Sequence, residues 1–144
     1  MSGIIFFGTN RLSELRQFYI KEVGCTLWLE QADCIILKHG NLLLGFCRRE
    51  QVQTEGMITF FYETREEVDA CYKKFESRAL AEPVFNDKYQ IYQFFATDPE
   101  GRTVEFQYFE HSVSEHLCGD ELLVARRSVR RFLPTPIEPE TMQQ

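Results

Sequence analysis

One order of elements, strand–helix–strand–strand–strand, occurs twice in the first 110 of these 144 residues. No other feature narrows the possible folds as much. The first copy opens with the apolar run Gly3-Ile-Ile-Phe-Phe-Gly8, which reads as a strand. Asn10 is placed to cap a helix over about residues 11–23, whose apolar face is Leu12, Leu15, Tyr19 and Val23 at spacings of three and four. Gly24 supplies the stop. Residues 25–30 and 34–38 read as strands, and His39-Gly40-Asn41 as a tight turn into Leu42-Leu-Leu-Gly-Phe-Cys47.

The second copy starts with a strand over Met57–Tyr62. Thr64-Arg-Glu-Glu67 then has the form of a capping box, in which hydroxyl and carboxylate each bond the other residue's backbone N–H. Val68, Cys71, Tyr72 and Phe75 predict the buried stripe of a helix over about 64–77. Val84-Phe85, Tyr89–Thr97 and Arg102–Phe109 supply three more strands. Asp98-Pro-Glu-Gly101 joins the last two, with Pro99 suited to the second turn position and Gly101 to the exit. Two units of about 50 residues with one element order amount to a structural repeat. The expected class is therefore α+β: two βαβββ units, residues 3–48 and 56–110, inside a domain of residues 1–112.

Thirteen Phe and six Tyr provide apolar surface for a core and for an aromatic pocket. A formal net charge of −6 argues against nucleic acid and anionic membranes as partners, since both favour clustered Lys and Arg. No apolar run approaches the length of a membrane span, and the Met-Ser-Gly start lacks the basic and apolar regions of a signal peptide, so a cytoplasmic location is expected. Cys25, Cys34, Cys47, Cys71 and Cys118 are widely spaced, with no Cys-x-x-Cys pair. Reduced, buried thiols are the expectation.

Two segments resemble the vicinal oxygen chelate superfamily, which includes glyoxalase I, extradiol dioxygenases and bleomycin- and fosfomycin-resistance proteins. The helix Leu12-Ser-Glu-Leu-Arg-Gln-Phe-Tyr19 with Val23-Gly24 is similar to that family's first helix. Thr97-Asp-Pro-Glu-Gly-Arg-Thr-Val-Glu105-Phe is similar to its last turn and strand. The resemblance covers about residues 3–110 and implies curled sheets forming a cup around a small molecule, with helices outside. It also implies four inward strand positions that carry His, Glu or Gln in metal-using members. Glu105 matches one of them. The pattern alignment of Asn41-Leu-Leu-Leu-Gly-Phe with Arg102-Thr-Val-Glu-Phe-Gln puts Leu44 at the second, and the opening-strand positions fall near Ile4 or Ile5 and near Met57 or Ile58. Aliphatic side chains do not ligate cations, so no metal is expected. His39 in its turn, and His111 and His116 after the last strand, match none of these positions and are expected to be solvated. Strand alternation puts Thr103, Glu105 and Gln107 on the cup side as candidate ligand-binding residues, and Val104, Phe106 and Tyr108 under the helices. A carboxylate at Glu105 paired with a nearby Arg or hydroxyl is the alternative to a ligand role.

From residue 113 the character changes. Gly119-Asp-Glu-Leu-Leu-Val-Ala-Arg-Arg-Ser-Val-Arg-Arg-Phe-Leu-Pro-Thr-Pro-Ile137 resembles the opening of nitroreductase-family flavoproteins, with a helix expected near 119–130. The resemblance implies that Arg126, Arg127, Ser128 and Arg130 would grip the phosphate of FMN, for which guanidinium forks and a hydroxyl are suited. The rest of a flavin site is not in this sequence, so 113–144 reads as a linker and a truncated flavoprotein start, and no bound FMN is expected. Beyond Cys118 four Arg balance Asp120, Glu121, Glu138 and Glu140, so residues 1–117 carry the whole −6.

Three functions follow as expectations. A binding module that sequesters a small molecule, with a homodimer as the assembly, accounts for the pocket-forming resemblance and the missing ligands. A glyoxalase-like lyase, isomerase or dioxygenase acting through Glu105, which could serve as a general base without metal, is the enzymatic alternative. A substrate-binding or sensory domain fused to an FMN nitroreductase would account for the tail.

Overall fold

The computed structural model describes residues 3–113. The sequence-predicted helix near 119–130, His116, Cys118 and the Arg126, Arg127, Ser128 and Arg130 motif lie outside the described residues. Within them the eight strands are β1 (Ile5–Thr9), β2 (Thr26–Glu30), β3 (Cys34–His39), β4 (Leu42–Arg48), β5 (Met57–Tyr62), β6 (Val84–Asn86), β7 (Ile91–Thr97) and β8 (Thr103–Phe109). They divide between two four-stranded mixed sheets, ordered β1-β4-β3-β2 and β5-β8-β7-β6. In each, the first strand pairs in parallel with the last, and the remaining pairs are antiparallel.

The helices differ from each other. Helix α1 (Leu12–Gln17) continues as a π-helical segment, Phe18–Val23, where one regular helix was expected. The wider turn lets consecutive Phe18 and Tyr19 both face inward, where each is about 1% exposed or less. Its start also departs from expectation: Arg11, not Asn10, is the N-cap and makes no side-chain capping bond. Thr9 Oγ1 instead accepts from Arg11 N, and Asn10 N is drawn to Glu100 Oε1 at 3.1 Å. Gly24 ends the segment at φ +94°, as expected of its αL stop. Helix α2 (Arg65–Phe75) begins with the full capping box at Thr64 and Glu67.

One apolar core serves both units. Leu15, Phe18, Tyr19, Ile35, Leu37, Leu44 and Phe46 of the first join Ile58, Phe60, Val68, Phe75, Phe94, Val104 and Phe106 of the second. Phe18 meets Phe75 edge-on at 5.6 Å between ring centres. The Asp98–Gly101 turn fastens the units together. Gly101 N closes the turn on Asp98 O, and Asp98 Oδ1 accepts from the backbone of Glu100 and Arg102. Tyr19 OH donates to Asp98 Oδ2 at 3.1 Å, and Thr9 Oγ1 to Glu100 Oε1 at 2.8 Å. Arg102, wholly buried, is ion-paired with Asp98 and stacks its guanidinium over Phe7 and Phe46.

Two expectations about side chains are corrected. Cys34 and Cys47 are not free thiols but a disulfide, because antiparallel pairing sets them directly opposite one another with Cα atoms 4.1 Å apart. Cys25 and Cys71 are buried thiols, as expected. His39 is not a solvated turn residue: it ends β3, lies edge-on to Phe60 at 4.8 Å, and burial lowers its pKa.

Candidate functional site

The alternation of β8 sorts its side chains. Val104 and Phe106 enter the core, so Thr103, Glu105 and Gln107 share the opposite, cup-side face. Glu105, 5% exposed, sits mid-strand between Thr59 of β5 and Phe95 of β7. Thr59 Oγ1 donates to Glu105 Oε2 at 2.7 Å, the neighbouring-hydroxyl pairing that was the alternative reading of this carboxylate. Two residues further on, Gln107 pairs across the sheet with Gln93 on one side and Phe61 on the other. Both amides are largely buried, whereas Phe61 is half exposed. Thr103, flanked by Met57 and Thr97, is only partly covered. One face thus brings together a carboxylate, two amides, hydroxyls and two aromatic rings.

Thr59, Gln93, Phe95 and Phe61 were missed from the sequence. The signal for them was present, since Phe60 and Phe94 alternate with them and could have been assigned to the core as Phe106 was.

The first sheet corrects the alignment made from the sequence. Leu44 is buried in the core on the helix side, 1% exposed, so it does not face the cup. The aromatic packing gives the true phase. Phe46 stacks between Phe7 and Tyr19 as Phe106 stacks against Phe60 and Phe75. Gly45, paired with Phe6, therefore holds the place that Glu105, paired with Thr59, holds in the second sheet. The alignment slipped by one residue, and a one-residue slip exchanges the two faces of a strand. Gly45 itself is covered: a Cβ there would lie 2.2 Å from Cδ1 of Phe6. The same phase makes Met57, not Ile58, the cup-side residue at the start of β5.

This arrangement has the form known from solved structures. A lactoylglutathione lyase from Agrobacterium tumefaciens matches with a TM-score of 0.63 at 17% identity, over 76% of this chain and 94% of that one. A glyoxalase/bleomycin resistance protein/dioxygenase family enzyme from Burkholderia phytofirmans PsJN matches at 0.65 and 17%, over 73% and 95%. The chain has the glyoxalase/bleomycin-resistance fold. A glyoxalase-related enzyme from Fulvimarina pelagi matches at 0.66 and 13%, over 80% and 97%. At these identities the likeness is one of fold. By sequence, no protein-family model and no curated protein matches the chain.

The two sheets form the cup-like arrangement of the glyoxalase fold, and its donor set can be tested against a divalent cation. Among the described residues no group of three or more His, Cys, Asp or Glu side chains is placed to hold a metal. Glu105 is alone among a hydroxyl, amides and rings, and its counterpart Gly45 carries no donor and lies under Phe6. A single carboxylate does not hold a transition metal tightly, so these residues do not fit one. His39 and His111 offer no remedy, being engaged with Phe60 and with Phe109 and the Ser112 carbonyl respectively.

Proposed function

We propose that this protein binds and sequesters a small, partly apolar molecule that presents hydrogen-bond donors or a positive charge to Glu105. The observation that carries this reading is the buried carboxylate between Thr59 and Phe95, with Gln93 and Gln107 beside it and no companion ligands for a metal. Thr59 engages Oε2, leaving Oε1 to meet a donor from the guest, while Phe95 and Phe61 offer ring faces to its apolar part. Thr103, Glu105 and Gln107 are thus the proposed ligand contacts on β8. The excess of acidic residues adds a long-range preference for cations.

A homodimer suits this role. Phe6, Met57 and Phe61 on the cup faces, and Leu27, Trp28, Leu29, Val84 and Phe85 on the edge strands β2 and β6, are each 38% or more exposed. A second copy would cover such surface and close the hollow from water.

In the enzymatic reading Glu105 acts as a metal-free general base, and the same contacts would then orient a substrate. The Arg126, Arg127, Ser128 and Arg130 motif would hold FMN only where the remaining parts of a flavoprotein are supplied.

The test is thermal denaturation with a panel of aromatic amines and amidines. A guest at 100 times its Kd adds about 2.7 kcal/mol of stability, a rise in Tm on the order of 10 °C for a domain of this size. Glu105→Gln should abolish the rise. A rise that survives Glu105→Gln would place the guest elsewhere, and turnover of the guest by the wild type alone would favour the enzymatic reading.

A further inference from the structure

A second hollow, of about 300 Å³, lies at the other sheet, lined by Phe6, Phe7, Gly8, Cys34, Cys47 and Arg49 together with Gln31 and Gln53. Its wall is built by the chain that follows β4. Arg49 N bonds Thr9 O, Gln53 N bonds Gly8 O, and Gly8 N returns a bond to Gln53 Oε1 at 2.7 Å. The chain runs so close that a Cβ on Gly8 would lie 2.5 Å from Gln51 O. Ile35, Leu37, Leu44 and Phe46 fill the core side of β3 and β4, so the Cys34–Cys47 disulfide stands on the opposite face and lines this hollow, Cys34 half-buried and Cys47 buried.

That placement sets it apart from the other described cysteines. Cys25 is in the core, its thiol pushed up to about 12 by burial, and Cys71 is in the core beside Tyr62. Neither lines this hollow. The disulfide also does little that the sheet does not already do. It joins two strands that pair in unbroken register from Cys34↔Cys47 to His39↔Leu42, so the hollow keeps its frame with the bond open. A disulfide that lines a hollow together with an arginine, and that joins strands already paired, suits exchange better than stapling.

We propose that Cys34 and Cys47 form a thiol–disulfide exchange site that accepts a small carboxylate-bearing thiol, with Arg49 holding the carboxylate. The inference is independent of the guest site on β8. The incoming thiolate attacks Sγ of Cys34, the more exposed of the pair, forming a mixed disulfide as the Cys34–Cys47 bond breaks. The bonding pair leaves on Cys47 Sγ as a thiolate, which Arg49 stabilises until water protonates it. A second thiolate attacks the sulfur of the bound small molecule, releasing the small-molecule disulfide and Cys34 thiolate, which is protonated in turn. Two small thiols have then given two electrons to the protein, and the reverse sequence restores the bond.

The full-length oxidised chain is treated separately with 3-mercaptopropionate and with 2-mercaptoethanol, and the reduction of Cys34–Cys47 is followed by alkylation and peptide mass mapping. Rates are expressed per thiolate and relative to those of the same thiols with a small uncharged disulfide, because the more basic thiolate is intrinsically the better nucleophile. The carboxylate thiol should react roughly fivefold faster, the most that a contact to an exposed Arg gives, and Arg49→Gln should equalise the two. The Cys47→Ser chain treated with 3,3′-dithiodipropionate should carry the adduct on Cys34. Equal rates in the unmodified chain would overturn the proposal, as would a preference that persists in Arg49→Gln, an adduct confined to other cysteines, or collapse of the far-ultraviolet circular dichroism on reduction. The last result would mark the bond as a staple.

Discussion

Arg102 carries the strictest demand at the scale of single residues. Its guanidinium is wholly buried, paired with an equally buried Asp98, and laid over Phe7 and Phe46, with Glu100 Oε2 at 3.5 Å. Such a pair is costly to desolvate, so its net value to stability is small, but removing one partner strands the other. Arg102→Met should therefore lower unfolding stability in urea by about 3–5 kcal/mol, as should Asp98→Ala. The double variant Arg102→Met with Asp98→Asn should recover part of that loss, and no recovery would mean that the contacts to the aromatic rings matter more than the charges. Tyr19 belongs to the same cluster, and burial followed by the Asp98 charge keeps its phenol protonated throughout the ordinary range. His39 titrates the other way. Burial lowers its folded pKa below the ordinary 6.5, so the neutral ring is favoured in the folded state. Its contribution is complete above pH 6.5 and is lost as pH falls through the lower, folded value. Between pH 7.5 and 5.5 the wild type should lose more Tm than His39→Gln does, and parallel losses would show that carboxylates alone govern that window.

At the scale of elements, the two helices show how differently local code is obeyed. Thr64 and Glu67 cap α2 as their spacing announces, because both partners lie within four residues of one another. Thr64→Ala should cost about 1 kcal/mol, read as a lower urea midpoint with unchanged slope. Asn10 does not cap: the N-cap falls one residue later, at Arg11, which makes no side-chain capping bond, while Glu100, 90 residues away, accepts the Asn10 N–H and Thr9 that of Arg11. The π-helical segment likewise answers to partners outside the helix, since Phe75, Phe46 and Asp98 reward the inward placement of both Phe18 and Tyr19. Strands behaved similarly. Met57–Tyr62 and Cys34–His39 appear within a residue of expectation, whereas β7 begins at Ile91 rather than Tyr89, where Gln90 turns at φ +53°.

Over the whole molecule, the exposed apolar residues on the cup faces and on β2 and β6 predict association. Light scattering should give about twice the 17.0 kDa of one chain, and Trp28→Glu with Phe85→Glu, both on edge strands, should shift the mass toward one chain. A mass of one chain across a wide concentration range would refute this. A charged residue on an edge strand also opposes edge pairing directly.

The sequence by itself determined the two βαβββ units, the α2 cap, the Asp98–Gly101 turn and the cup-side placement of Thr103, Glu105 and Gln107, because each follows from alternation or from partners a few residues apart. Only the tertiary structure decided what surrounds Glu105. Thr59 and Phe95 arrive from strands 46 and 10 residues away, and pairing register across a sheet is not written in either strand alone. Register also decided that Gly45, not Leu44, is the first sheet's counterpart of Glu105, a difference of one residue that reverses every side chain on a strand. The Cys34–Cys47 bond was hidden for the same reason: thirteen residues separate the two in sequence, and only the antiparallel pairing of β3 with β4 sets one against the other.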